Sequence, residues 1–378
     1  MAHIKRLDGG RWQARYRNPD DYREVARNFS TRTPAQGWLD DVTASFVRND
    51  YADPRAGKMT VGELAGIWFA ATAPLKPSTR HSYDGLLRAH VLPRWGSVEL
   101  RKVTTSGIAT WIADLSAERS ASTTRKALGV MRGILGLAVA DRRLAANPAL
   151  GVAQPRLPIQ EMRFLAANEL QRLADQMPTE RDYILAMTLG WTGLRAGEAL
   201  ALRREDIDVL RRRIRVARAV VEVGGKTYVG SPKSHQARTV AFPPFLAEIL
   251  AKGLTSVPSG SLVFPNVEGN FIYETNWKRR TFDPAAARAK LSPPSLRVYD
   301  LRHTAASFAI SAGATVKAVQ RQLGHRSAMV ILDRYAHLWP DELDALGEGL
   351  ERLRASAPAD SLRTLEAEAS VIPLKSRR

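Results

Sequence analysis

The apolar rhythm of the chain breaks twice. Residues 51–57 (YADPRAG) and residues 151–163 are proline-bearing stretches without a clean period, the kind of sequence that joins compact domains. No single core can run through both, so the 378 residues must pack as separate parts. The boundaries expected are 1–55, 58–148, a linker over 149–165, a last large part over 166–350, and a tail over 351–378.

Each part carries its own pattern. Residues 11–17 (RWQARYR) and 22–31 (YREVARNFST) alternate large and polar side chains across Asn18-Pro19-Asp20-Asp21, which predicts a hairpin, with a helix after it from about residue 34 to 49. In the second part, Thr60-x-x-Glu63 is a capping box that opens a helix with Leu64, Ile67 and Trp68 along one side. Further helices are expected over 77–91, 104–115 and 122–140, with breaks at 93–97 and at Asn147-Pro148. The last part should begin with a helix capped by Asn168, show strands at 213–223 (RIRVARAVVEV) and 238–242, and return to helices. No internal repeat is visible, and the small, polar and charged residues from 356 onward read as a mobile tail or docking arm.

Composition narrows the function classes. With 56 Lys and Arg against 38 Asp and Glu, the formal net charge is +18 and the pI about 10.5, which favours a polyanionic partner such as nucleic acid. Arg15, Arg17, Arg23 and Arg27 of the hairpin could form a basic face for a DNA groove, or the hairpin could be a plain structural cap. Arg80 and Arg125, with Lys76, Arg88, Arg94, Arg101, Lys102 and Lys126, could meet phosphates or simply solvate helix faces. There is no cysteine, so thiolate zinc sites, disulfides and cysteine nucleophiles are excluded. The longest apolar stretch, residues 183–194, is interrupted by Thr188, Gly190 and Thr192, and a cytoplasmic protein without a membrane partner is expected.

Three stretches of the last part hold groups suited to phosphoryl transfer. In Thr192-Gly193-Leu194-Arg195-Ala196-Gly197-Glu198, glycines flank an arginine at a helix junction, so guanidinium and backbone could both approach a phosphate; a purely structural Arg195–Glu198 pair would look the same. Tyr299-Asp300-Leu301-Arg302-His303-Thr304 places a second arginine at a helix start. Leu323-Gly324-His325-Arg326 is followed by Leu332-Asp333-Arg334-Tyr335-Ala336-His337-Leu338. Taken singly, each histidine or tyrosine could as well be structural.

Taken together and in this order, TGLRAGEAL, YDLRHTAA, LGHRS and LDRYAHL resemble the tyrosine recombinases, the phage integrase family. The resemblance is tight over residues 167–339, and the hairpin and helical block before it resemble the family's arm-binding and core-binding parts. It implies a multidomain, mainly α fold with small β-sheets: an N-terminal three-stranded sheet plus helix, an all-helical core-binding bundle, and an α+β catalytic domain. Tyr335 would attack the scissile phosphate and form a 3′-phosphotyrosine, freeing a 5′-hydroxyl; one phosphodiester is exchanged for another, so religation needs no ATP. Arg195 and Arg302 would clamp the nonbridging oxygens with no metal and no cofactor. Lys233 matches the family's hairpin lysine and general acid, His325 would donate to the phosphate or help position Tyr335, and Glu198 would orient Arg195. One position departs from the pattern: where the family usually has histidine three residues before its second arginine, this chain has Tyr299. A phenol can donate a hydrogen bond but is a poor general base near neutral pH. His303 fits a structural role.

The resemblance further implies double-stranded attachment-site DNA as substrate, a homotetramer on DNA with segments from residue 346 onward exchanged between subunits, and a host DNA-bending protein and an excision factor as accessory partners. Integration of a phage or mobile element is the reading favoured by residues 1–55. A chromosome-resolving recombinase, a type IB topoisomerase-like enzyme and an inert DNA-binding protein are the alternatives.

Overall fold

The computed structural model describes residues 3–18, 22–48, 51, 53, 55–158, 162–232, 237–291, 295–325, 327–339 and 343–356. Two compact units divide the chain: Met1–Glu161 with Glu222–Lys226, and Met162–Val221 with Thr227–Arg378.

The first unit opens with an antiparallel sheet of β1 (His3–Arg6), β2 (Trp12–Arg17) and β3 (Glu24–Phe29), backed by α1 (Arg32–Arg48). Strand alternation sends Ala14, Tyr16 and Val25 toward the helix, where Ala35, Leu39 and Tyr51 complete a small core. The pairing Ala14↔Arg27 places Arg27 on this helix-side face, while Arg15 and Arg17 share the opposite face with His3 and Lys5. The four-arginine face expected from sequence is therefore split: Arg27 lies over the Phe29 ring at 5.3 Å, and Lys5 takes a place on the outer face instead.

The helical part of this unit comprises α2 (Val61–Ala71), α3 (Pro77–Leu86), α4 (Leu92–Trp95), α5 (Thr105–Glu118) and α6 (Ala121–Ala140). The capping box of Thr60 and Glu63 is formed, and Thr104 and Ser120 cap α5 and α6 with their hydroxyls. The expected break at 93–97 does not begin at Pro93. Instead α3 runs through a π-helical turn, Leu87–Val91, into α4; the widened turn makes room where Pro93 lacks an N–H and its ring would press on the preceding turn. Trp95 then stays buried, edge-on to Trp111, beside the apolar stripe Ala127, Met131, Ile134 and Ala138 of α6.

The second unit begins with α7 (Ala167–Asp175), α8 (Glu180–Thr192) and α9 (Ala196–Ala199). Asn168 is not the cap of α7: Ala166 holds that position, and the Glu169 carboxylate accepts its N–H at 2.9 Å, so an acidic side chain three residues on satisfies the amide that Asn168 was expected to serve. Strands β4 (Ile207–Asp208), β5 (Arg213–Val216) and β8 (Arg238–Ala241) form one antiparallel sheet, and β6 (Ala219–Val223) pairs with β7 (Lys226–Gly230) in a separate ribbon. The single strand expected over 213–223 is thus two strands in two sheets. After them come α10 (Pro244–Leu254), α11 (Glu274–Trp277), α12 (Asp283–Arg288), α13 (Asp300–Ser311), α14 (Val316–Leu323), α15 (Met329–Tyr335) and α16 (Leu343–Ser356).

Two apolar clusters meet at α13. Leu301 belongs to the main core with Leu185 and Leu189 of α8, while Ala306 and Ile310 belong to a smaller cluster with Val319, Leu323, Ile331 and Tyr335. The first turn of α13, which holds Arg302, is fixed from both sides. Of the expected linker 149–165, Ala149 and Val152 are buried in the helical core and Leu165 in the main core of the second unit. No helix among the described residues is long and apolar enough to cross a membrane.

Candidate active site

Arg195 stands at the N-terminal edge of α9, directly after the turn that closes α8. Gly193 makes that turn with φ 70°, and a Cβ there would also lie 2.5 Å from Leu323 Cδ2, so both backbone shape and space demand glycine. The Arg195 amide donates to Glu198 Oε2 at 3.0 Å and its Nη1 to Glu198 Oε1 at 2.8 Å. Arg238 Nη1 and Nη2 donate to the same two oxygens at 2.9 and 2.7 Å. Burial opposes the charge of Glu198, but the Arg238 hydrogen bonds and charge, with the Arg195 amide and guanidinium, outweigh it and hold its pKa near 2. Glu198 is thus a buried anion that fixes two arginines. The Arg195 side chain remains 23 % exposed.

Arg302 is the more constrained cation. Its side chain is 1 % exposed, with Nη1 donating to the Gly193 carbonyl at 2.6 Å and Nη2 to the Leu323 carbonyl at 2.7 Å. These carbonyls belong to the ends of α8 and α14, whose last acceptors lack intrahelical partners. Burial and the nearby Arg195 lower its pKa to about 10, which leaves it charged at neutral pH. Its Nε is buried without a partner among the described residues.

His325 follows Gly324, another left-handed residue, whose added Cβ would lie 2.7 Å from Arg238 Cδ. Burial, then the charges of Arg302 and Arg195, lower the His325 pKa to about 4; Nδ1 is buried without a partner among the described residues. The structure therefore brings Arg195, Glu198, Arg302 and His325 into one electrostatic cluster. Arg238 belongs to it although it was not anticipated. A signal for it exists: in β8 it shares the inward side with buried Val240 two residues on, and an arginine on a core-facing side needs a buried partner.

Tyr335, at the end of α15, is 1 % exposed. Its Oη lies 2.7 Å from His303 Nδ1, and burial, only partly offset by Arg302, raises its pKa to about 12. Tyr299, in contrast, is 41 % exposed at the start of α13, with its ring edge-on to His303 at 5.1 Å. Lys233 lies outside the described residues; it follows the β6–β7 ribbon on the way to β8. Of the arginines expected to meet DNA, Arg15 pairs with Glu24 at 2.9 Å, Arg17 is exposed on the same outer face, Arg80 is exposed over the Phe69 ring at 4.8 Å, and Arg125 is half-buried in α6. Among the described residues no group of three or more His, Asp or Glu side chains is placed to hold a metal ion.

The sequence pattern of the phage integrase family matches residues 163–342, that of the phage integrase N-terminal domain residues 3–48, and that of the phage integrase N-terminal SAM-like domain residues 60–116. The putative prophage phiRv2 integrase of Mycobacterium tuberculosis is 32% identical over 355 residues, covering 89% of this chain and 91% of that one. The chain belongs to the phage integrase family. As a member of this family of tyrosine recombinases it is a DNA strand-transferring enzyme. The integrase of Mycobacterium phage L5 is 29% identical over 369 residues, 93% of this family member and 97% of the phage protein. Among solved structures, the Tn1549 transposon integrase in complex with a circular intermediate DNA aligns with a TM-score of 0.66 at 18% identity, over 78% of this chain and 99% of that one. A lambda integrase tetramer bound to a Holliday junction aligns with a TM-score of 0.56 at 16% identity, over 90% and 95%. Both likenesses establish the fold of this integrase.

Proposed function

We propose that this integrase inserts a phage or other mobile element by cutting and rejoining attachment-site DNA, with Tyr335 as nucleophile and Arg195, Arg302 and His325 as the phosphate site. The observation that carries this reading is a pair of buried nitrogens without partners among the described residues, Arg302 Nε and His325 Nδ1, inside a cluster of guanidinium groups. Buried polar atoms left unpaired are costly, and phosphate oxygens would satisfy them.

In the reaction Tyr335 Oη bonds to phosphorus, the bond from phosphorus to the 5′ oxygen breaks, and the phenol loses its proton while the departing oxygen gains one. Lys233 is the group assigned to supply that second proton. Arg195 and Arg302 neutralise the charge on the nonbridging oxygens, and because both are held before DNA arrives, little reorganisation is needed at the transition state. Tyr299, exposed beside the cluster, donates a hydrogen bond to the phosphate rather than taking a proton. Glu198 and Arg238 hold Arg195 in place.

The rest of the chain is assigned by position. Residues 1–55 bind arm-type DNA through the outer face of the sheet, with Lys5, Arg15 and Arg17 as phosphate contacts; residues 58–148 bind core DNA, with Arg80 and Arg125 as candidates. Residues 149–165 link them to a catalytic part over 166–350; α16 runs past that boundary to Ser356, and the rest of the expected tail lies outside the described residues. The working assembly is a homotetramer on DNA in the cytoplasm, with a host DNA-bending protein and an excision factor as accessory partners. The test is incubation of the protein with a nicked duplex carrying its crossover site. A protein–DNA adduct that survives denaturation is the expected result; its absence would favour a DNA binder without strand transfer.

A further inference from the structure

Tyr335 and His303 come from different helices and meet in the interior. His303 follows Arg302 on α13, so the imidazole is carried on the same turn as the buried guanidinium; Tyr335 ends α15. The two residues are 5 % and 1 % exposed, and the 2.7 Å contact from Oη to Nδ1 is the one hydrogen bond of this phenol among the described residues. Phe164 closes over both rings, at 6.4 Å from each. The charged and titratable groups around the imidazole are Asp300, Arg302 and Tyr299 from α13 and its start, Arg297 just before it, and Arg334 beside Tyr335 on α15.

Burial lowers the His303 pKa to about 4, with Arg334, Arg297 and Arg302 adding to the effect against Asp300. The ring is neutral at physiological pH, and its Nδ1 can accept the phenolic hydrogen. The phenol, near 12, keeps its proton. The contact is a hydrogen bond and not a proton transfer, and it holds Oη away from solvent.

We propose that His303 is a positioning residue that holds Tyr335 withdrawn when DNA is absent and sets how often the phenol is released to a phosphate. The proposal rests on Tyr335 being the nucleophile for its consequence, though not for the latch itself. It gives the residue after the second arginine a defined task in a chain whose residue 299 is a tyrosine. Release breaks one neutral hydrogen bond, which shifts such an equilibrium by roughly two- to tenfold.

The test compares wild type with His303→Phe, which keeps the ring bulk but has no acceptor, and with His303→Asn, whose amide oxygen can stand close to where Nδ1 was. Full-length protein without DNA is treated with tetranitromethane, and nitration is followed at each tyrosine by peptide mass spectrometry. Tyr335 should react roughly two- to tenfold faster in His303→Phe and return toward the wild-type rate in His303→Asn, with Tyr183 unchanged. Equal Tyr335 rates in wild type and His303→Phe would overturn the proposal, as would His303→Asn behaving like His303→Phe. So would acceleration shared by Tyr183, because that is general loosening. On the nicked duplex His303→Phe should form adduct faster than wild type by a similar factor, and slower attachment would overturn the release step. Failure of every variant and of wild type to form adduct would instead sink Tyr335 as nucleophile, leaving the nitration rates to decide the latch.

Discussion

On the outer face of the N-terminal sheet the Arg15 side chain is 33 % exposed and meets Glu24 at 2.9 Å, whereas the Arg302 side chain is 1 % exposed and held by the carbonyls of two helix ends. Both are permanent cations, and both are proposed to meet phosphate. The exposed one is screened by salt and free to change rotamer, so it suits long-range attraction and register on a duplex. The buried one has lost that freedom during folding, so it suits a transition state, where a donor must already be in place. On the proposed reading, solvent exposure separates Arg15, which would gather DNA, from Arg302, which would act on it.

The largest test of this division is Arg302→Lys. An ammonium cannot span the Gly193 and Leu323 carbonyls and still offer a planar fork, so cleavage of the nicked duplex should fall on the order of 10²-fold or more; a loss of only a few-fold would place Arg302 among the gathering arginines. Next is Glu198→Ala, which strands Arg238 and frees Arg195. Breaking a buried ion pair costs about 3–5 kcal/mol, read as a lower midpoint in urea, and no change in midpoint would show that the cluster is not held by this carboxylate.

Acidity sharpens the same contrast. His303 and His325 have pKa values near 4 when folded against about 6.5 unfolded. The unfolded chain therefore takes up protons that the folded chain refuses, and stability falls as the pH drops from about 6.5 toward 4. Glu198, near 2 when folded, extends the loss to lower pH, because its contribution disappears as it protonates. Thermal unfolding of the full chain should show this fall, with a shallower slope in His325→Phe; a flat profile from pH 7 to 4 would contradict the neutral, buried state of both rings.

Smaller effects belong at the exposed positions. Tyr299→Phe should slow adduct formation without abolishing it, whereas Tyr335→Phe should form none; equal loss would undo the distinction between a hydrogen-bond donor and the nucleophile. Arg15→Ala should change stability by less than about 1 kcal/mol while lowering the salt dependence of arm-DNA binding by a slope of about 1. A structural effect larger than the binding effect would make Arg15 part of the fold rather than of the DNA surface.

Much of this was legible in the chain because local rules set it. The capping box of Thr60 and Glu63, the strand alternation of β2, and the placement of Arg195 and Arg302 at helix starts all follow from residue types at short spacing. Two features depended on contacts far apart in sequence and were missed. Arg238 meets Glu198 across 40 residues, and nothing local marks that pairing except an arginine on the Val240 side of β8. Tyr335 points at His303 because α14 and α15 share one apolar cluster with Ala306 and Ile310 of α13, which no periodicity within a single helix reveals. Strand β7 was missed for another reason: Lys226–Gly230 is solvated on both sides, so it lacks the apolar alternation that marks a half-buried strand, and only the Gly224-Gly225 turn before it pointed to a hairpin.

The phosphate-bearing residue in the denaturation-resistant complex is the most direct reading of the chemistry. Digestion of that complex and mass spectrometry of the nucleotide-bearing peptide should place the modification on Tyr335 alone. A nucleotide attached to Tyr299, or to any other side chain, would contradict the account of how this protein cuts DNA.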